Sequence, residues 1–255
     1  MISNITKKAI EDFLKDGRRL DGRKPDEFRK IKVETGVVEK AEGSAIVSIG
    51  DSQVIVGVKL DVGEPFPDTP DKGVLMTGAE LTAMSSGEFE SGPPGEDAIE
   101  VARVVDRAIR ESEVINLEKL CITPGEKVWM VFVDIYTLNA NGNIFDAACL
   151  AAMAALSTAR LPEYKDGEII RDSKKKLPVD GTVVSATFAK IGGHIVVDPT
   201  MEEEEASSAR ITVGVKDGNI VSLQKGGDGG FSDKEIEEVL GRAIKHSKNL
   251  LKALK

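Results

Sequence analysis

Between Phe28 and Leu60 apolar and polar residues alternate with period two in three runs, Phe28 to Val38, Gly43 to Ile49 and Gln53 to Leu60. That period puts successive side chains on opposite faces of a strand. Gly50-Asp51-Ser52 is a hairpin signal between the last two, so the spacing predicts an antiparallel meander, buried largely on both faces. Val74 to Ser85 reads as a further strand of mixed character. Lys127 to Leu138 alternates cleanly, with Met130, Phe132 and Asp134 on one side and Val131, Val133 and Ile135 on the other.

Other stretches repeat at helical spacing. Asn4 to Lys15 gathers Ile5, Ala9, Ile10, Phe13 and Leu14 on one side and ends at Asp16-Gly17. After the Gly92-Pro93-Pro94-Gly95 turn, Ala98, Ala102, Val105 and Ile109 form a stripe that Ile99 widens. Glu96 and Asp97 put negative charge at the positive end of this helix, which the pattern closes around Asn116. Ile144 to Thr158 is small and apolar on nearly every side, so that helix must be central. Ser232 to Leu254 is a long final helix, capped by Ser232 with Glu235 three residues on.

The pattern divides the chain into two similar halves of one subunit spanning 1–255, residues 28–162 and 180–255, each running from strands to a helix. Lys165 to Lys176 is a charged connector between them. The second half holds strands Thr182 to Lys190, His194 to Val197, Arg210 to Lys216 and Ile220 to Gln224, with a strong turn at Asp217-Gly218. Arg18 to Pro25 is basic and turn-rich, and reads on its own as a linker loop.

Composition narrows the chemistry. A net charge of -9 over 255 residues argues against a generic polyanion-binding surface, so any polyanion must meet a local positive patch. With only His194 and His246 as histidines and no ligand spacing around them, zinc chemistry and Ser-His-Asp catalysis are poorly supported. Cys121 and Cys149 sit in apolar segments, no run reaches membrane-spanning length, and the first residues lack a signal peptide's apolar core. The expectation is a cytoplasmic protein with reduced thiols and no membrane partner. The one candidate patch is Arg103, Arg107 and Arg110, three guanidinium groups along the polar side of the helix that opens at Glu96. Either they pair with Glu100 and Asp106 on a solvated face, or they hold successive phosphates.

Three separated segments, in order, carry a resemblance: Arg19-Leu20-Asp21-Gly22-Arg23, the helix bearing Glu100, Arg103, Arg107 and Arg110, and the strand-turn-helix from Asp134 to Leu156. Together they resemble the RNase PH superfamily, and within it the non-catalytic RNase PH-like subunit of the archaeal exosome ring. The resemblance implies an α+β, RNase PH-like fold, similar to domain 2 of ribosomal protein S5. Active members of that family are phosphorolytic 3′→5′ exoribonucleases that hold phosphate with a G-T-R-T-type turn. Here the turn reads Gly142-Asn143-Ile144-Phe145, with Ile144 at the arginine position, and Asp97 stands where the family has a second arginine. Of the two carboxylates that hold a divalent metal in active members, the resemblance places Glu204, within the run Glu202 to Glu205, at the first and Arg210 at the second.

It therefore implies no catalytic residue, no metal and no cofactor of this chain's own. It implies RNA binding through Arg103 and Arg107, with Arg110 either beside them or on a subunit contact. The implied partners are a catalytic RNase PH-like exosome subunit, RNA-binding cap subunits and single-stranded RNA. Two rival expectations are an active phosphorolytic RNase with its metal site shifted within Glu202 to Glu205, and a scaffold that binds no RNA.

Overall fold

The structure, a computed structural model, describes residues 2–171 and 173–254. Helix α1 (Asn4–Lys15) precedes strands β1 (Ile31–Thr35), β2 (Gly43–Ile49), β3 (Ser52–Gly63) and β4 (Val74–Glu80). Then come α2 (Glu96–Glu111), β5 (Cys121–Thr123), β6 (Lys127–Asn139), α3 (Ile144–Thr158) and the small hairpin β7 (Glu163–Lys165) and β8 (Glu168–Ile170). The remainder is β9 (Val183–Ile191), β10 (His194–Val197), α4 (Met201–Ala206), β11 (Ala209–Lys216), β12 (Asn219–Gly226) and α5 (Asp233–Ala253). The first sheet runs β1-β2-β3-β6-β4, with β5 paired to β6; only β4 lies parallel to its neighbour. A second, antiparallel sheet runs β10-β9-β11-β12.

Helix α3 joins the two sheets. It packs against β2 and β3 on one side and β9 on the other, and every residue from Ile144 to Leu156 is buried, as its all-apolar composition requires. One continuous core therefore runs from Val47 and Val56 of the first sheet through Leu150 and Met153 to Phe188 and Val213 of the second. Burying a side chain of that size stabilises the fold by about 1.5–3 kcal/mol. A satellite cluster seats α1: Ile10 and Leu14 pack on Ala189, Ile191, Val196 and Ala206. Only one face of the meander is closed, through Ala45, Val47, Val54 and Val56. The alternate positions of β2 and β3, Ile46 and Ile55 among them, are partly exposed, which corrects the expectation of burial on both faces.

Local details depart from the sequence reading where a side chain takes over a backbone group. Strand β1 starts at Ile31 rather than Phe28, because the Arg29 N–H donates to the Asp198 carboxylate (2.8 Å) and not to a ladder; Gly36, at φ 72°, ends it. Strand β4 stops at Glu80, since the Thr82 N–H donates to the Thr137 hydroxyl (3.0 Å). Helix α2 closes at Glu111, five residues before Asn116. Its buried face is centred on Val101, Val105 and Ala108, where β4 and α3 cover it, and Ile99 is 48% exposed instead of widening the stripe. Within the charged connector, Asp166 and Gly167 at positive φ turn the β7–β8 hairpin. The acidic run from Glu202 to Glu205 forms α4, with a capping box between Thr200 and Glu203. The boxed start of α5 at Ser232 and Glu235 is as the sequence reads.

Candidate nucleic-acid interface and the adjoining cleft

The Arg18 to Pro25 segment is a clamp rather than a linker, anchored by buried Arg19 and half-buried Arg23 while Leu20, Asp21, Gly22 and Lys24 stay exposed. Arg19 is 1% exposed; its Nε donates to Glu203 (2.7 Å), Nη2 to the same carboxylate and to the Asp198 carbonyl (2.8 Å), and Nη1 to the Val197 (2.8 Å) and Glu27 (3.3 Å) carbonyls. Asp198, at φ 50° and fully buried, accepts from Arg23 Nη1 (2.8 Å), Arg29 Nη2 (2.7 Å), Arg29 Nε (2.9 Å) and Asn143 Nδ2 (2.7 Å). Burial alone would raise the Asp198 carboxyl, but the Arg29 guanidinium holds it below the usual aspartate value. Arg29 also donates to the Asn141 carbonyl (2.6 Å), so the turn entering α3 is held from both sides. Gly142 completes it at φ 78°, where any Cβ would lie 2.4 Å from the Thr200 carbonyl carbon.

The same turn forms one wall of a cleft of about 200 Å³ between α2, the start of α3 and α4. Asp97, Ile144, Glu204 and Arg210, the four positions at which the resemblance expects phosphate- or metal-binding groups, all line it. Glu204 accepts from the Asn143 N–H (2.9 Å), and desolvation pushes its carboxyl up to about 7 against the pull of that bond and of Arg210. The Arg210 guanidinium donates to Glu100 on α2 (2.6 Å) and lies over the Phe145 ring, 4.0 Å from its centroid. Among the described residues, no group of three or more His, Cys, Asp or Glu side chains is arranged to hold a metal ion. The donor set explains why. Of the acidic run, Glu203 is committed to Arg19, and Glu204 faces a guanidinium where a second carboxylate would be needed. This cleft does not fit a divalent cation.

Deeper in α3, Asp146 is fully buried and accepts from Ser185 Oγ (2.9 Å), Thr187 N (2.9 Å), Thr187 Oγ1 (2.8 Å) and Asn143 Nδ2 (2.9 Å). Burial pushes its carboxyl up to about 7, only partly opposed by these donors. Asp146 ties α3 to β9.

Of the three sequence-predicted arginines, all are exposed on the outer side of α2. Arg103 makes no hydrogen bond or ion pair among the described residues, and Arg107 reaches only the Gln224 amide oxygen, at 3.5 Å. Arg110 is engaged: its Nε and Nη2 form a fork on Asp106 (2.9 Å each), and Nη2 also donates to the Leu75 carbonyl (3.1 Å). Asp106 thus takes its i,i+4 partner, whereas Glu100 leaves the helix to bond Arg210. The sequence reasoning missed Gln224, Phe145 and the Glu100–Arg210 pair. Glu100 and Arg210 are 110 residues apart, and no local spacing could have signalled their contact.

With this geometry in hand, comparison with known proteins is decisive. Residues 27–162 match domain 1 of the 3′ exoribonuclease (RNase PH) family and residues 181–246 match domain 2. The chain belongs to this family. It is similar to the exosome complex component Rrp42 of Methanothermobacter thermautotrophicus, at 48% identity over 100% of this chain and 96% of that protein. It is also similar to a chain of an Archaeoglobus fulgidus exosome solved with RNA bound to the active site (TM-score 0.92, 45% identity, 99% of this chain and 98% of that one). An archaeal exosome core gives TM-score 0.87 at 43% identity, covering 98% and 96%. The RNase PH-like α+β fold inferred from three motifs is therefore the fold of this chain. Among the described residues, no helix is long and apolar enough to cross a membrane.

Proposed function

We propose that this RNase PH-family chain is the non-catalytic, RNA-positioning subunit of an exosome ring that degrades RNA from its 3′ end by phosphorolysis. The observation that carries the reading is the convergence of Asp97, Ile144 and Arg210 on one cleft. An anion would meet the Asp97 carboxylate there and an apolar Ile144 side chain, and a metal would meet a guanidinium already bonded to Glu100. Two units of charge separate a guanidinium from a carboxylate; beside a divalent ion at ~4 Å with an effective dielectric of ~20, each unit on each partner is worth about 4 kcal/mol. The relatives named as exosome components over their full length support the assembly. The proposal treats 28–162 and 180–255 as the two halves of a single cytoplasmic subunit. Its partners are a catalytic homologue in the ring, RNA-binding cap subunits and single-stranded RNA.

In this reading Arg103 and Arg107 hold RNA phosphates beside the partner's active cleft. What supports it is their freedom: neither is tied down by an acidic neighbour. Arg110 belongs to the same row, but the Asp106 fork leaves it less to offer a phosphate. The test is reconstitution with the catalytic homologue. The pure chain should release no nucleoside diphosphate from RNA in phosphate and magnesium, and the ring should. Arg103→Ala with Arg107→Ala should leave the ring assembled, weaken RNA binding by about 1.5–3 kcal/mol per contact, and lower the log–log salt slope by about 0.7 per arginine. Diphosphate release that scales with the pure chain would refute the non-catalytic assignment. Unchanged affinity and slope in an intact ring would refute the arginine assignment.

A further inference from the structure

The mismatch between the cleft and a divalent cation has a positive side, which stands apart from the RNA-binding reading. Arg210 is held on three sides, by α2, the start of α3 and β12. Glu100 of α2 takes its Nη2 (2.6 Å), and the Phe145 ring at the start of α3 lies against its guanidinium carbon at 4.0 Å. Behind it runs Gly226, opposite Arg210 in the β11–β12 ladder. A Cβ on Gly226 would come within 2.7 Å of Nη2 and 3.1 Å of Cζ, so the missing side chain makes room for the guanidinium. Glu204 lines the same cleft, and the Arg210 charge acts on its carboxyl. The Arg210 Nε is buried with no hydrogen-bond partner, an arrangement that a freely solvated surface pair would not adopt.

We propose that the Arg210 guanidinium is a resident cation. It sits among the carboxylates of Glu100 and Glu204 as a bound metal would, cross-links α2 to the second sheet and closes the cleft to exchangeable cations. A planar cation stacked on an aromatic ring and bonded to a carboxylate suits guanidinium chemistry and not that of a compact ammonium. The charge arithmetic gives a sharp consequence. Removing the guanidinium leaves Glu100 without its partner and Glu204 without a neighbouring positive charge in a cleft that Asp97 also lines, and replacing it with a carboxylate supplies a further oxygen ligand there. Oxygen-rich clusters of that kind take manganese and magnesium. The substituted cleft should thus gain the cation site that the native chain excludes.

The experiment uses the purified full-length chain at about pH 8, with Mn²⁺ alone as probe and thermal unfolding as readout. Without metal, Arg210→Ala and Arg210→Asp should each unfold about 5 °C below the native chain. At about 1 mM Mn²⁺, Arg210→Asp should rise by about 5 °C, Arg210→Ala by less, and the native chain not at all. An Arg210→Ala chain that melts with the native one would overturn the cross-link. A native chain that responds to Mn²⁺ as strongly as Arg210→Asp, or an Arg210→Asp chain that does not respond, would overturn the resident-cation assignment. Should Arg210→Asp fail to fold, Arg210→Glu supplies the missing carboxylate in its place and carries both readouts.

Discussion

Substitution of Asp198 by Asn isolates what one buried charge does for the cleft wall. Asn tolerates the positive φ that Asp198 adopts (50°), so the backbone is spared and only the charge and its acceptor capacity change. The lost partners are the Arg29 fork, the Arg23 guanidinium, the Arg29 N–H and the Asn143 amide, all between 2.7 and 2.9 Å. Two guanidinium groups, each only 10% exposed, would face an amide in place of a carboxylate. Breaking a buried pair by removing one partner costs about 3–5 kcal/mol. For a chain of this size, that lowers the unfolding midpoint by about 10 °C.

The pH dependence fixes the cause. Because Arg29 holds the folded carboxyl below its ordinary value of 3.8, the stabilisation is fully present above that pH. It is lost as pH falls through the lower, folded value, so the native and Asp198→Asn chains should converge under acid conditions. Urea unfolding at pH 7, 5 and 3 measures this. A deficit below about 1 kcal/mol at pH 7, or one that persists undiminished at pH 3, would show that the clamp is not held by charge.

Glu204→Gln should act in the opposite sense. The native carboxyl keeps its proton up to about 7 while the unfolded chain releases it near 4.5, so Glu204 makes the native protein lose stability as pH rises between those values. The variant should lack that slope, gaining at most about 3 kcal/mol on the native chain between pH 4.5 and pH 7 in paired unfolding curves. Gly142→Ala should destabilise by about 2 kcal/mol or more, through both the positive φ (78°) and the Cβ placed 2.4 Å from the Thr200 backbone; a loss confined to a few tenths in chemical denaturation would contradict it.

Much of the architecture follows from short-range pattern. The all-apolar run Ile144 to Thr158 has no solution except a buried helix, and α3 has those bounds. Gly50-Asp51 and Asp217-Gly218 are compatible with tight turns because glycine and aspartate accept positive φ, and both hairpins form there. The Ser232–Glu235 box places the start of α5 within a residue, since capping is a contact between neighbours three positions apart. The three family motifs likewise point to the right family, because each is contiguous.

Where a residue's fate depends on a distant partner, the sequence by itself was silent or misleading. Arg19 and Arg23 sit in a stretch with the composition of a loop, yet Glu203 and Asp198, more than 170 residues away, turn these two arginines into a clamp. Glu100 has an arginine within reach on its own helix and bonds instead to Arg210 on the second sheet. Periodicity and turn chemistry act over a few residues, where the chain's covalent geometry already sets who meets whom. Charge pairing and burial act through space, so only the folded path of the chain decides that the four displaced positions Asp97, Ile144, Glu204 and Arg210 share one cleft, while Arg103 and Arg107 stay free on the face outside it.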